Sequence, residues 1–158
     1  MSLESVRAFF AQHAPDIAIL ETAGSSATVT LAAEAFGVEP ARIAKTLSFR
    51  LGERVVLLVT RGDARLDNKK TKAAFGAKPR MLDLDEVVAI TGHPVGGVCP
   101  FGLPTPLPVY CDVSLKVFDE VVPAAGSTQT AVRISPERMA ALTGAQWVDV
   151  CQEPAALA

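Results

Sequence analysis

Cysteine is scarce: Cys99, Cys111 and Cys151 are an odd set of three with no close pair. That pattern argues against a disulfide framework and points to a reducing, cytosolic setting. Histidine is scarcer, with only His13 and His93. Two histidines and three scattered cysteines offer no metal-ligand spacing, so neither a metal nor another cofactor is expected. No apolar run approaches the roughly 20 residues needed to cross a membrane. Met1–Ala11 carries Glu4 and Arg7 in an amphipathic pattern, not a basic stretch followed by a long apolar one, and is not expected to be a signal peptide. Internal repeats, linkers and charged tails are missing. So are the Gly-Lys-Ser/Thr phosphate loop and the G-x-G-x-x-G dinucleotide spacing.

What remains is a chain of 158 residues, 49% hydrophobic and 20% charged, which excludes a disordered or low-complexity polypeptide. The length suits a single domain over residues 1–158 with a core of its own. The net charge of −2 conceals an asymmetry. Residues 42–80 hold eleven of the fifteen basic side chains and only three acids, a local charge of +8 against −10 elsewhere. Such a block is the electrostatic footprint of a polyanionic partner. Charges decorating solvated strands and helices would leave the same pattern.

Helical spacing runs over Ser2–Gln12, and Ile17–Glu21 reads as a short strand. A helix is expected over Thr28–Phe36 with Gly37 as its C-terminal cap, then a helical turn from Pro40 to Ala44. Lys45–Leu51 alternates, and Gly52-Glu53 suits a hairpin into the apolar Arg54–Thr60 strand. Asp67 can cap a basic helix over Asn68–Phe75, and Asp83 with Glu86 resembles a capping box opening a helix to about Ile90. Residues 92–108 hold four glycines and five prolines, an irregular segment of the kind that is usually functional or disordered. Strands are expected near Val109–Asp112, Val117–Val122, Thr130–Ile134 and Trp147–Val150, with a helix from Pro136 to Gly144 behind Ser135. Without regular βαβ alternation, the fold class is α+β (mixed α/β): a mixed, partly antiparallel sheet or open barrel surrounded by helices.

Lys45 shares strand parity with Leu47, Phe49 and Leu51. An ammonium at the mouth of an apolar face either snorkels to solvent or meets an oxygen of a ligand. In the segment Gly92–Gly102, consecutive glycines leave backbone N–H groups able to cradle an oxyanion or phosphate, although a rigid turn uses the same residues. Cys99 would need His93 as its base to act as a nucleophile, whereas a buried, inert thiol is the commoner case. His13 is expected on the surface. The turn Ala125–Thr130 could supply hydroxyl contacts or form a plain hairpin.

In order, "GVEPARIAKTLSFR", "VLLVTRGDARLD", "TGHPVGGVCPFGL", "VYCDVSL" and "VVPAAGS" resemble the YbaK/prolyl-tRNA synthetase editing-domain family. The diagnostic marks are Lys45 and the Gly-x-x-x-Pro loop from Gly96 to Pro100. The resemblance implies the editing-domain fold and a free-standing, cytoplasmic aminoacyl-tRNA deacylase that needs no metal. Its substrate would be tRNA(Pro) bearing a small residue such as alanine or cysteine. Lys45 would anchor the terminal adenosine phosphate or the aminoacyl carbonyl. Backbone N–H groups of Gly96, Gly97 and Val98 would stabilise the oxyanion, and a ribose hydroxyl of the substrate would help activate water. Substrate contacts are expected from Thr46, Phe49, Cys99, Pro100, Phe101, Ser127 and Thr128, and tRNA contacts from Arg65, Lys69, Lys70 and Lys72. The partners implied are the acceptor end of an aminoacyl-tRNA and prolyl-tRNA synthetase, with no membrane and a monomer or weak dimer. A non-catalytic tRNA-binding module of the same fold is the alternative.

Overall fold

The computed structural model describes residues 2–152; the expected single domain also takes in Met1 and residues 153–158, which lie outside the described residues. The elements are α1 (Ser2–His13), β1 (Leu20–Glu21), α2 (Val29–Phe36), β2 (Ile43–Leu51), β3 (Arg54–Arg61), α3 (Asn68–Phe75), β4 (Arg80–Met81), α4 (Leu84–Thr91), β5 (Val109–Asp112), β6 (Val122–Pro123), β7 (Thr130–Ala131), α5 (Pro136–Thr143) and β8 (Gln146–Val148). Short 3₁₀ turns cover Pro40–Arg42 and Val113–Val117.

The mixed α/β architecture is the expected one, and the sheet is open rather than a barrel. Its strands run β4-β2-β3-β5-β8, with β6 added to β2, and β1 pairs β7 in a separate two-stranded ribbon. The β2–β3 hairpin turns at Gly52, whose φ of +64° is open to glycine at little cost. Strand β5 joins β3 in parallel, and β8 joins β5 in parallel. Alternation along β3 divides the core. Leu57 and Val59 face α1, Phe101 and Met139, while Val56 and Leu58 join Phe49 and Val150 on the other face. A third cluster packs α2 through Ala32, Ala33 and Phe36 against Ile43 and Val122.

Helix boundaries follow their caps. Thr28, Asp67, Asp83 and Ser135 each accept a backbone N–H at a helix start, and Gly37, Gly76, Gly92 and Gly144 close the ends in the left-handed region. Asp83 and Glu86 form the full capping box. Five expected elements change, one of them only in its bounds: the closing strand expected at Trp147–Val150 is β8 at Gln146–Val148. The strand at Val117–Val122 gives way to the second 3₁₀ turn and the short β6, because the Asp112 carboxylate accepts from Ser114 N and bends the chain. The strand at Ile17–Glu21 shortens to β1, and that at Thr130–Ile134 to β7, with Ile134 bridging Val121 alone. The helical turn after Pro40 stops at Arg42, so β2 begins at Ile43. Strand β4, an exposed Arg-Met pair held against Phe49 and Arg50, was not anticipated. Among the described residues, no helix is long and apolar enough to cross a membrane.

Candidate active site

One edge of β2 is only partly covered. Strand β6 pairs Ile43 and Ala44, and β4 pairs Phe49 and Arg50, so among the described residues Lys45–Leu47 has no strand partner on that side. A cavity of about 300 Å³ opens against this gap. Its walls are the unpaired stretch of β2, residues 26–29 leading into α2, the beginning of α4 with Leu84 and Val87, and the loop residues Val95, Gly96 and Val98. Because the gap is an edge, residues from both faces of β2 reach it.

Lys45 is half-buried, and its Nζ donates to the carbonyl of Ala64 at 2.7 Å. That bond fixes the side chain and uses one of three ammonium donors. Burial holds the Lys45 pKa below the ordinary lysine value, with Cys151 and Asp63 opposing the shift. Beside it, the Thr46 hydroxyl is shut off from solvent and has no hydrogen-bond partner among the described residues. A buried hydroxyl without a partner is costly, and a ligand oxygen or nitrogen in the cavity would relieve it. Among the described residues, Lys45 is the one titratable side chain in the lining, which holds no carboxylate, histidine or cysteine.

The loop is shaped by its glycines. A Cβ on Gly96, which has a φ of +91°, would lie 2.8 Å from the Ala27 side chain. One on Gly97 would lie 2.8 Å from the Ser127 backbone. Gly96 and Val98 line the cavity, and their N–H groups have no acceptor among the described residues. Gly97 differs from expectation: it is outside the lining, and its N–H closes a turn onto Pro94 O at 2.8 Å, so it is not free to meet an oxyanion.

The other expected contacts divide. Thr46 lines the cavity, but Phe49, Cys99, Pro100 and Phe101 do not. Phe49 and Phe101 are fully buried in different clusters, and Cys99 packs beside Phe101 under α1. These three fill the core, a correction to their reading as substrate contacts. Burial pushes the Cys99 thiol up to about 12, so it is no thiolate at neutral pH. Ser127 and Thr128 sit one layer behind the walls. Ser127 Oγ lies 2.7 Å from Thr130 Oγ1, and Thr128 O accepts from both N and Oγ of Ser26. Thr130 and Ser26 themselves line the cavity, as does Thr28; Thr130 belongs to the turn singled out for hydroxyl contacts, whereas sequence reasoning missed Ser26 and Thr28. The run Gly24-Ser25-Ser26-Ala27-Thr28 ahead of a helix was the signal available for those two.

Arg65, Lys69 and Lys72 are exposed and carry no ion pair among the described residues. Lys70 instead donates to Asp149 Oδ1 at 3.1 Å and to Cys151 O at 3.0 Å, so its ammonium is occupied. The exposed strip begins one residue after Ala64, the carbonyl that holds Lys45.

Residues 24–142 match the family model described as an aminoacyl-tRNA editing domain. The chain is 49% identical over 155 residues to the uncharacterized protein YwhH of Bacillus subtilis, covering 97% of this chain and 99% of that one. It is 32% identical over 121 residues to a protein of Enterococcus faecalis named "Putative Cys-tRNA(Pro)/Cys-tRNA(Cys) deacylase EbsC", covering 75% of this chain and 73% of that one. Among solved structures, one described as "a putative trans-editing enzyme for prolyl tRNA synthetase" superimposes with a TM-score of 0.88 at 33% identity, over 96% of this chain and 98% of that one. An edge cavity flanked by Lys45 and a glycine loop thus sits within the matched region, and the chain belongs to the aminoacyl-tRNA editing domain family.

Proposed function

We propose that this chain is a trans-editing deacylase that hydrolyses the ester of a mischarged tRNA, most simply tRNA(Pro) carrying alanine or cysteine. The observation that carries the reading is the cavity at the β2 edge, which joins a half-buried lysine to a buried hydroxyl with no partner among the described residues. Its volume of about 300 Å³ lies at the low end of small-molecule sites, which suits a small aminoacyl group. The protein named EbsC supplies the precedent for cysteine, and the trans-editing neighbour for a link to prolyl-tRNA synthetase.

Lys45 directs its remaining ammonium protons at the terminal adenosine phosphate or the ester carbonyl. The N–H groups of Gly96 and Val98 meet the developing oxyanion. Thr46 Oγ1 contacts the aminoacyl group. With no carboxylate or imidazole lining the cavity among the described residues, water is activated by a ribose hydroxyl of the substrate, and the protein contributes position and charge. This route uses no metal. Arg65, Lys69 and Lys72 meet acceptor-stem phosphates in the cytoplasm, where a monomer or weak dimer suffices. The test is single-turnover hydrolysis of alanyl- and cysteinyl-tRNA(Pro) with intact and deoxy terminal ribose. Hydrolysis of the intact ester that disappears with the deoxy form is expected. Binding without turnover of either ester would leave a tRNA-binding module in its place.

A further inference from the structure

We propose that His93 is a positioning residue for the Gly96–Val98 loop, acting through Ser2 and Gly126, so that the number of protons on its ring sets where the loop lies. This rests on the deacylase reading for its catalytic consequence but not for its structural one.

His93 has no exposed surface. Its backbone N–H donates to Thr91 Oγ1 at 3.1 Å, anchoring it to the end of α4. Nε2 lies 2.8 Å from Phe101 O, which can only accept, so Nε2 carries a proton. Nδ1 lies 2.5 Å from Ser2 Oγ at the start of α1. The same hydroxyl lies 2.5 Å from Gly126 O. Ser2 Oγ has one proton and two acceptors competing for it. While the ring is neutral, the hydroxyl donates to Nδ1 and Gly126 O loses its partner. When Nδ1 is protonated it donates to Ser2 Oγ, and the hydroxyl turns to Gly126 O. All three contacts are satisfied together only by the doubly protonated ring.

Gly126 passes the change to the cavity. Its N–H donates to Gly97 O at 3.2 Å, and Gly97 lies between the two lining residues Gly96 and Val98. Little slack is available, since a Cβ on Gly126 would lie 2.9 Å from Ser2 O and one on Gly97 2.8 Å from Ser127. Among the described residues, the groups facing the ring are few. Cys99 Sγ is 3.5 Å from Nε2 and is kept neutral by burial. Ser2 faces it from α1, whose charged residues Glu4 and Arg7 are exposed, while the Phe101 and Gly126 segments present carbonyls. Burial lowers the His93 pKa from 6.5, so the neutral ring prevails at pH 7 and the Ser2–Gly126 bond forms on acidification.

The test is an NMR pH titration of the intact protein and of Ser2→Ala, following the His93 ring and the Gly97 and Gly126 amides. In the wild type both amides are expected to move with the ring midpoint, below pH 6.5. In Ser2→Ala the ring still titrates and the Gly97 amide does not follow. With mischarged tRNA, the kcat profile of the wild type bends at the same midpoint and that of Ser2→Ala does not. A Gly97 amide that stays flat through the ring midpoint overturns the proposal. So does one that follows the ring equally in Ser2→Ala, or a ring that never titrates before unfolding. If no ester is hydrolysed at all, the deacylase reading fails while the amide titration still decides this one.

Discussion

Among the described residues, Lys45 is the single cation lining the cavity, and its charge is retained at a cost. Because burial lowers its pKa, the penalty for holding the ammonium is fully present at neutral pH. It is relieved as pH rises through the folded value toward 10.5, where the unfolded chain still binds the proton. Lys45→Met is therefore expected to abolish deacylation. Its stability relative to the wild type, read by urea denaturation, should also decline between neutral pH and pH 10; a constant difference would contradict the burial argument. Cys99 provides the opposite case. With its thiol pushed up to about 12, it should resist alkylation in the folded protein at pH 7, and Cys99→Ala should keep deacylase activity. Loss of activity in a folded Cys99→Ala would restore the thiol nucleophile.

At the scale of elements, the loop and α4 position the chemistry. Gly97→Ala places a Cβ 2.8 Å from the Ser127 backbone, so the loop must shift. Displacement of a catalytic segment by about 1 Å can cost roughly 100-fold in rate, and a loss of that order is expected together with a lower melting temperature, because the obstructing atoms are backbone. Asp83→Ala removes the capping box of α4, which carries Leu84 and Val87 into the cavity wall. It should cost about 1 kcal/mol, seen as a melting temperature lower by roughly 2–4 °C. These capped helices were legible in the sequence because each announces itself locally: Asp67 and Gly76 bracket α3, and Ser135 and Gly144 bracket α5. The β2–β3 hairpin was legible from alternation around Gly52. What was not legible depends on partners distant in the chain. Ser26 reaches the cavity because Thr128, 102 residues away, holds its backbone and hydroxyl. Strand β4 exists only because Phe49 and Arg50 offer an edge. The glycine loop was recognised as a whole, but proximity in sequence hid its division. Gly96 and Val98 face the cavity, Gly97 spends its N–H on Pro94, and Cys99 and Phe101 turn into the core.

The whole molecule sets its charges beside its cavity. The +8 block of residues 42–80 includes both Lys45 and the exposed strip of Arg65, Lys69 and Lys72. If those three neutralise phosphates, log affinity for tRNA should fall with log salt at a slope of about −2 to −3 from these contacts, and their joint replacement by alanine should remove that dependence. Lys70→Ala should act on stability instead, because its ammonium ties α3 to Asp149 and Cys151. A salt slope unchanged by the triple replacement would place the tRNA elsewhere. The most direct measurement is a deacylation panel: purified wild type and Lys45→Ala, each incubated with tRNA(Pro) charged with alanine, cysteine, serine or proline, and with alanyl-tRNA(Ala). The account predicts hydrolysis of at least one non-proline ester on tRNA(Pro), reduced by roughly 100-fold or more in Lys45→Ala, equivalent to about 2.7 kcal/mol of transition-state stabilisation. Equal hydrolysis by the two proteins, or none by the wild type while tRNA still binds, would contradict it.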